Sequence, residues 1–319
     1  MVDTVMCRVV SLGSINVDRI VSVTADELAA YAERFDWFPD RGRTVRVEDV
    51  PEDFTVDADE IRHGGKGANQ AAAAARADAS TKMLGTVGRD HETFDVLPAL
   101  AGVGVDGGRI EVADAPTGTA YVFVDESGDN RIVVHPGANA AIDRPYVRAQ
   151  ADAIRDADCL LLQNEIPVAP VEALLADLAD DPDRPTVLLD PAPVEGVDPL
   201  VDAAAVDYLT PNEHEYAALG AALDDFDGVV VRKRGGDPVV VERAGERLFT
   251  VDPPAVTPAD TTGAGDALNG VLAARLAAGA TLREAVETAT VAGSLATREV
   301  GARNGVPSLA EIEAFRSSG

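Results

Sequence analysis

Short apolar runs closed by glycine, proline or polar clusters recur along the chain, and segments with helical spacing separate them. Arg8 to Leu12 predicts a buried first strand, with Gly13-Ser14-Ile15-Asn16-Val17-Asp18 as a polar loop behind it. Thr24 to Trp37 predicts a helix: Thr24 caps, Glu27 stands three residues on, and Leu28, Tyr31 and Phe35 fall at helical spacing. Val45 to Ile61 alternates apolar and acidic residues as exposed strands do, which suggests a small sheet standing off the main body, a lid or a dimer surface. An alanine-rich helix follows over Ala71 to Ala77. Next come a strand (Lys82 to Val87), a helix (Phe94 to Leu100) and a hairpin of Thr119 to Asp125 with Asn130 to His135 around Glu126-Ser127-Gly128-Asp129. Ile142 to Ile154 and Val171 to Leu178 read as helices, and Cys159 to Gln163, Thr186 to Leu189 and Val206 to Leu209 as strands. Strands at Val229 to Val231, Val239 to Glu242 and Arg247 to Thr250 precede helices at Ala267 to Ala278 and Leu282 to Ala296, and Gly301 to Pro307 is a loop.

Strands alternating with helices from Lys82 onward predict an α/β fold with a doubly wound, mostly parallel sheet flanked by helices. Ligands of such sheets sit beyond the carboxyl ends of the strands. Asn16, Asp18, Glu165, Asp190, Asn212, Glu215 and Asp266 all fall at those ends or in the following loop. That convergence predicts a polar active site. No internal repeat, low-complexity tail or interdomain linker interrupts the pattern.

Charge changes the picture more than composition does. The 319 residues carry 55 Asp and Glu against 27 Lys and Arg, a net charge of −28 spread along the chain. Lysine is confined to Lys66, Lys82 and Lys233. This balance excludes nucleic-acid binding and an anionic membrane surface as expectations. It fits a high-salt cytoplasm, where salt screens self-repulsion and carboxylates keep the surface solvated. The melting temperature is expected to rise with KCl concentration; a flat response would overturn the halophilic reading. No run approaches the ~18 apolar residues of a membrane span. Met1 to Cys7 lacks a secretory pattern, and Cys7 and Cys159 read as reduced core residues, so a cytoplasmic location is expected. His63, His91, His135 and His214 lack metal-site spacing.

The richest chemistry lies in Asp260-Thr261-Thr262-Gly263-Ala264-Gly265-Asp266, ahead of a long apolar run. Small residues let backbone approach a ligand, and a helix starting there aims free N–H groups and its dipole at an anion. Asp266, on the first turn, can take a proton from an attacking hydroxyl. His63-Gly64-Gly65-Lys66-Gly67-Ala68-Asn69-Gln70 also brings backbone close to a ligand, and its spacing is not that of a Walker loop. Asn16 and Asp18 share one face of extended chain and can bond hydroxyls; an Asx-type turn uses the same residues.

These three motifs together resemble the signatures of the ribokinase-like (PfkB) sugar kinases. His135-Pro136-Gly137-Ala138-Asn139, Asp190-Pro191-Ala192-Pro193 and Thr210-Pro211-Asn212-Glu213-His214-Glu215 resemble further family motifs, in the right order. The resemblance covers nearly the whole chain and is closest to the ribose-directed members. It implies a single domain over 1–319 with a small β-sheet lid, formed by about 15–62 and the hairpin at about 117–135. It implies transfer of the γ-phosphoryl group of ATP to a sugar hydroxyl, first of all that of D-ribose, giving ribose 5-phosphate. Deoxyribose, a fructose-type hexose, 2-keto-3-deoxygluconate and a nucleoside are the alternatives within the family; a non-catalytic sugar or nucleotide sensor is the alternative outside it.

By matched position, Asp266 is the base and the Gly263, Ala264 and Gly265 amides form the anion hole. Asn16, Asp18, Gly64, Gly65, Asn69 and Glu165 match sugar-binding positions. Asn212, Lys233, Gly235 and Gly265 match nucleotide-binding positions, and Glu215 organises Mg²⁺ indirectly. Asp260 and Thr262 match a monovalent-cation loop, taken to hold K⁺, completed by carbonyls near Ala296, Glu299 and Gly301. A homodimer through the lid is implied as well. The sequence departs from the pattern in three places. Residues 24–61 exceed the usual lid. The nucleotide loop reads Lys233-Arg234-Gly235-Gly236-Asp237-Pro238, where Lys233 either holds a phosphate or forms a solvated pair with Arg234. Gly305 stands where a serine often helps the cation site.

Overall fold

A computed structural model describes residues 7–51, 53–127 and 129–317. The expectations for Met1 to Met6 and for Gly128 in the hairpin turn lie outside the described residues. The chain opens with β1 (Arg8–Leu12), β2 (Asn16–Val23), α1 (Ala25–Arg34), β3 (Thr44–Arg46), β4 (Glu60–Gly64) and α2 (Lys66–Arg76). There follow β5 (Ser80–Leu84), β6 (Thr86–Val87), α3 (Val96–Gly102), β7 (Val105–Asp106), β8 (Glu111–Val112), β9 (Gly118–Asp125), β10 (Asn130–His135), α4 (Arg144–Ala149) and α5 (Ala151–Arg155). The next stretch holds β11 (Cys159–Gln163), α6 (Val168–Ala179), β12 (Thr186–Asp190), α7 (Asp198–Val201), β13 (Tyr208–Leu209) and α8 (Glu213–Leu219). The chain closes with β14 (Val229–Arg232), β15 (Val239–Arg243), β16 (Glu246–Val251), α9 (Ala264–Ala277), α10 (Leu282–Ala296) and α11 (Leu309–Ser317).

Nine strands form the main sheet, in the order β16-β15-β14-β13-β12-β11-β1-β5-β7. From β7 to β14 every pair is parallel; at the other edge β15 runs antiparallel to both of its neighbours, β14 and β16. Period-two alternation places Leu160 and Leu162 in one apolar layer with α4 to α7, and Leu161 in the other with α9 and α10. Burial on both faces explains why these strands read as unbroken apolar runs. Helix α9 is buried continuously from Asp266 to Ala274, because α2 and α10 flank it. Cys7 and Cys159 are buried and unpaired. No helix among the described residues is long and apolar enough to cross a membrane.

The lid is a five-stranded mixed sheet in the order β3-β10-β9-β2-β4. Gly13 to Asp18 is expected as a polar loop; the turn is confined to residues 13–15, and Asn16 opens strand β2, paired with β9 and β4. Its polar residues face the site rather than solvent, so they hid the strand. Val45 to Ile61 was expected to be strands throughout, but only its ends pair. Between them Val47, Val50, Phe54 and Val56 pack into a cluster with Tyr31, Phe35, Trp37, Phe38, Tyr121 and Phe123. Tyr31 stacks on Phe38 at 5.3 Å between centroids, and Phe54 meets Tyr121 edge-on at the same distance. The alternation therefore reports packing on α1, which the Thr24–Glu27 capping box starts as expected.

Smaller differences have local causes. The strand expected over Lys82 to Val87 breaks at Gly85, whose N–H and C=O both bond the Tyr146 hydroxyl. The helix expected over Ile142 to Ile154 begins only after the Asp143 cap and breaks at Gln150. Helix α2 begins at Lys66, five residues before the alanine run. Helices α7, α8 and α11 were not anticipated.

Candidate active site

The parallel strands deliver their carboxyl ends to one edge. There β1 runs into Ser14 and Asn16, β11 into Glu165, β12 ends on Asp190, β13 leads to Asn212 and β14 to Lys233. The lid brings Asn16 and Asp18 on β2, and α9 brings Asp266 on its first turn.

Asp266 is only 6% exposed and both its oxygens are held. Asn69 Nδ2 donates to Oδ2 and Gln70 Nε2 to Oδ1, each at 3.1 Å. Gln70 is fixed in turn by Gln163 at 2.8 Å, and its amide also reaches Asp190 Oδ2 at 3.0 Å. Asn269 donates to that same Asp190 oxygen at 2.9 Å. These amides hold the carboxylate in one orientation without neutralising it.

Helix α9 begins at Gly263, which has φ 76° and no capping side chain. The Ala264 N–H turns back to Thr261 O at 3.3 Å, leaving the amides of the next turn to face the site. A side chain at Gly263 would place Cβ 2.6 Å from Ala302 Cα, so glycine is required for the 301–307 loop to pack here. Lys233 reaches the same spot: a Cβ on Gly265 would lie 3.3 Å from its ammonium. Lys233 also stands 3.5 Å from Asp190 Oδ1 and is 13% exposed, whereas Arg234 pairs with Glu213 at 3.2 Å. The alternative of a solvated Lys233–Arg234 pair is thereby excluded.

The polar bowl opposite Asp266 is equally ordered. Asn139 Nδ2 donates to Asn16 Oδ1 at 2.8 Å, and Asn139 Oδ1 accepts from Ile15 N–H at 2.9 Å, so the Asn16 amide is oriented from below. Glu165 accepts from the Ser14 hydroxyl and, at 3.1 Å, from Lys66 N–H. Burial raises its pKa, opposed by Lys66 and Ser14. Burial also pushes the Lys66 ammonium toward neutrality, but Asp266, Asp190, Glu165 and Glu215 together keep it charged and raise its pKa. Gly64 lies against Asp18: a Cβ there would fall 2.2 Å from Oδ1.

Burial pushes the Asp18 carboxyl up to about 7, with Glu165 and Asp266 adding to the rise and Arg303 and Arg62 opposing it. An unfolded Asp titrates near 4, so between about pH 4 and 7 the folded chain holds a proton that the unfolded chain lacks. That contribution to stability is full below about pH 4 and lost as pH rises through 7. Asp18→Asn is therefore expected to melt above wild type at about pH 8.5, with the difference narrowing toward about pH 4, while sugar affinity falls. Thermal melts at both pH values in KCl check this; an equal difference at both would show that another group titrates.

Asn212 and Glu215 form the capping box of α8, with Glu215 N–H donating to Asn212 Oδ1 at 2.9 Å and Asn212 N–H to Glu215 Oε2 at 2.7 Å. Burial and then Asp190 raise the Glu215 pKa, against Lys233, Asn212 and Lys66. Gly235, with φ 60°, lies in open space beyond Lys233. Asp260 draws two loops together, accepting from Thr262 N–H and Gly301 N–H at 2.9 Å each. Burial raises its pKa, but those two N–H groups, the Thr262 side chain and Arg62 together outweigh it and the net shift is downward. The Ala296 carbonyl faces Gly305, where a Cβ would sit 2.1 Å away, so the chain excludes a serine in this backbone position. Glu299 is exposed on the same stretch.

Lys66, Gln70, Asn139 and Arg303 were missed as individual site residues. For the first three the signal was present, since they stand inside the glycine-rich and His-Pro-Gly-Ala-Asn motifs.

Residues 42–309 match the family model of the pfkB family carbohydrate kinases. A ribokinase of Bacillus subtilis is 37% identical over 261 residues, covering 80% of this chain and 87% of that protein. A ribokinase of Schizosaccharomyces pombe is 32% identical over 333 residues, covering 97% of each. The solved structure of Arabidopsis thaliana ribokinase complexed with ribose and ATP superposes with a TM-score of 0.76 at 26% identity, covering 97% of this chain and 98% of that one. The chain belongs to the pfkB family of carbohydrate kinases, and its fold is that of the ribokinases.

Proposed function

We propose that this protein transfers the γ-phosphoryl group of ATP to the 5-hydroxyl of D-ribose. The observation that carries the reading is Asp266, held by two amides at the uncapped start of α9 and facing the bowl of Asn16, Asp18 and Asn69. The relatives named above are ribokinases across bacterial, fungal and plant chains, which supports ribose as the acceptor.

In this reading Asn16, Asp18, Asn69 and Glu165 bond the sugar hydroxyls, with Gly64 and Gly65 giving backbone access. Asp266 accepts the proton of the attacking hydroxyl. The Gly263 and Gly265 amides stabilise the negative charge on the moving phosphoryl group, with Lys66 and Lys233 as its cationic flanks; the Ala264 amide, expected to share this role, is turned back to Thr261 O instead. Asn212 and Gly235 border the nucleotide.

The residues present fit a divalent ion carried by the nucleotide. Among the described residues Asp190 Oδ1 has no hydrogen-bond donor and meets only the Lys233 ammonium at 3.5 Å, and the Asp190 charge helps raise the Glu215 pKa, so this corner keeps acceptor capacity for a hydrated cation. No cluster of three or more His, Cys, Asp or Glu suited to a metal exists among the described residues. That fits Mg²⁺ bound mainly by phosphates and water, with Glu215 acting indirectly. Bound Mg²⁺ neutralises charge on the phosphates. Asp260, Thr262, Ala296, Glu299 and Gly301 are assigned to a monovalent cation, K⁺. The reading includes a homodimer through the lid. The aromatic cluster already covers one lid face from within the chain, so pairing is assigned to the edge strands β3 and β4. A monomer in gel filtration at high salt would overturn the dimer.

ADP production in molar KCl with Mg-ATP tests the function, with ribose, deoxyribose, fructose, 2-keto-3-deoxygluconate and adenosine offered in parallel. Turnover chiefly on ribose is expected. Turnover chiefly on another acceptor keeps the chemistry and overturns the specificity. A folded protein without turnover on any acceptor overturns the kinase reading in favour of a sensor.

A further inference from the structure

Arg303 belongs to none of the motifs, yet its side chain enters the site from the loop between α10 and α11. Its Nε donates to Asn69 Oδ1 at 2.8 Å and its Nη2 to Gly64 O at 2.6 Å. With Asn69 Oδ1 committed to Arg303, the amide nitrogen must face the other way, and that nitrogen donates to Asp266 at 3.1 Å. Gly64 is the last residue of lid strand β4, and Ala302, next to Arg303, packs on Gly263 at the start of α9. From the loop that packs behind the anion hole, the guanidinium thus touches the end of lid strand β4 and the Asn69 amide. Burial pulls its pKa down to about 10, opposed by Asp18 and Asp266, so it stays a cation at neutral pH.

We propose that Arg303 is a positioning residue for phosphoryl transfer: it fixes the Asn69 amide and the Gly64 carbonyl at the end of β4 so that acceptor hydroxyl and Asp266 align. Methionine matches its bulk without donors, and lysine restores charge and one donor group without the fork. This inference rests on the kinase reading and on Asp266 as base.

The test is steady-state kinetics of Arg303→Met, Arg303→Lys, Asn69→Ala and the Arg303→Met/Asn69→Ala double variant, with Asp266→Asn in parallel. Arg303→Met is expected to lower kcat about 10²-fold, as displacement of reacting groups does, and to raise the ribose KM while the ATP KM stays near wild type. Arg303→Lys should recover part of the loss. The double variant should be no slower than the worse single variant, because both act through one amide. Multiplicative losses, or equal rises in both KM values with unchanged kcat, would overturn the proposal. If Arg303→Met does not fold, the cycle is run with Arg303→Lys under the same criterion. An inactive Asp266→Asn beside a wild-type-like Arg303→Met defeats only this inference; an active Asp266→Asn defeats the base assignment beneath it.

Discussion

Asp266→Asn is expected to lower kcat by about 10³-fold while the protein stays folded, the loss that follows removal of a general base, the role proposed for Asp266. The substitution keeps the shape of the side chain and its place on α9. One oxygen remains to accept from Asn69 or Gln70; the other amide cannot turn, because Arg303 holds Asn69 Oδ1 and Gln163 holds Gln70 Oε1, so one contact of the new side chain sets donor against donor. What disappears is the lone pair that receives the acceptor proton. Phosphoryl transfer demands little covalent work from the protein, so positioning and the anion hole survive and leave residual turnover. The KM values for sugar and ATP should stay within about threefold of wild type, since binding rests on other residues. ADP release measured with circular dichroism on the same sample separates lost chemistry from lost fold. Full turnover by Asp266→Asn would remove Asp266 from the mechanism.

The main sheet was readable because its strands are buried on both faces, so each appears as an apolar run ended by a motif. The glycine loops were readable for a different reason. Backbone geometry at Gly65 and Gly263 tolerates no other residue, which leaves a fixed pattern in the sequence. The lid hairpin was readable as β9 and β10, but strand β2 resisted reading because its pairing is non-local: it pairs with β9 a hundred residues on, and its polar face looks like a loop. Phe54 and its neighbours mimic strand alternation while packing on α1. Arg303 left no local mark at all, since its partner Asn69 lies 234 residues away. Side chains that converge only in three dimensions carry no spacing rule to be read.

Gly65→Ala is expected to damage both stability and catalysis. Gly65 adopts φ 87° and ψ 125°, and an added Cβ would lie 2.7 Å from both Asn16 N and Ser14 O. Those neighbours are backbone of the turn between β1 and β2, so nothing flexible can yield. Strain and collision together should cost about 2–5 kcal/mol, a large share of a typical ~5–15 kcal/mol stability. The residue also joins lid strand β4 to α2, which carries Lys66, Asn69 and Gln70. Any relief of the collision shifts α2 and so moves the two amides that hold Asp266. A kcat loss of about 10²-fold is expected even in the fraction that folds in molar KCl. Denaturant unfolding and ADP release measure the two effects. Gly42→Ala is the comparison: its φ is 71°, but no atom of the described residues lies within 4 Å of the added Cβ. It should lose about 1 kcal/mol and retain its kcat. Equal losses at both positions would mean that backbone strain alone acts, and that the packing of Gly65 against the β1–β2 turn does not set the geometry of the base.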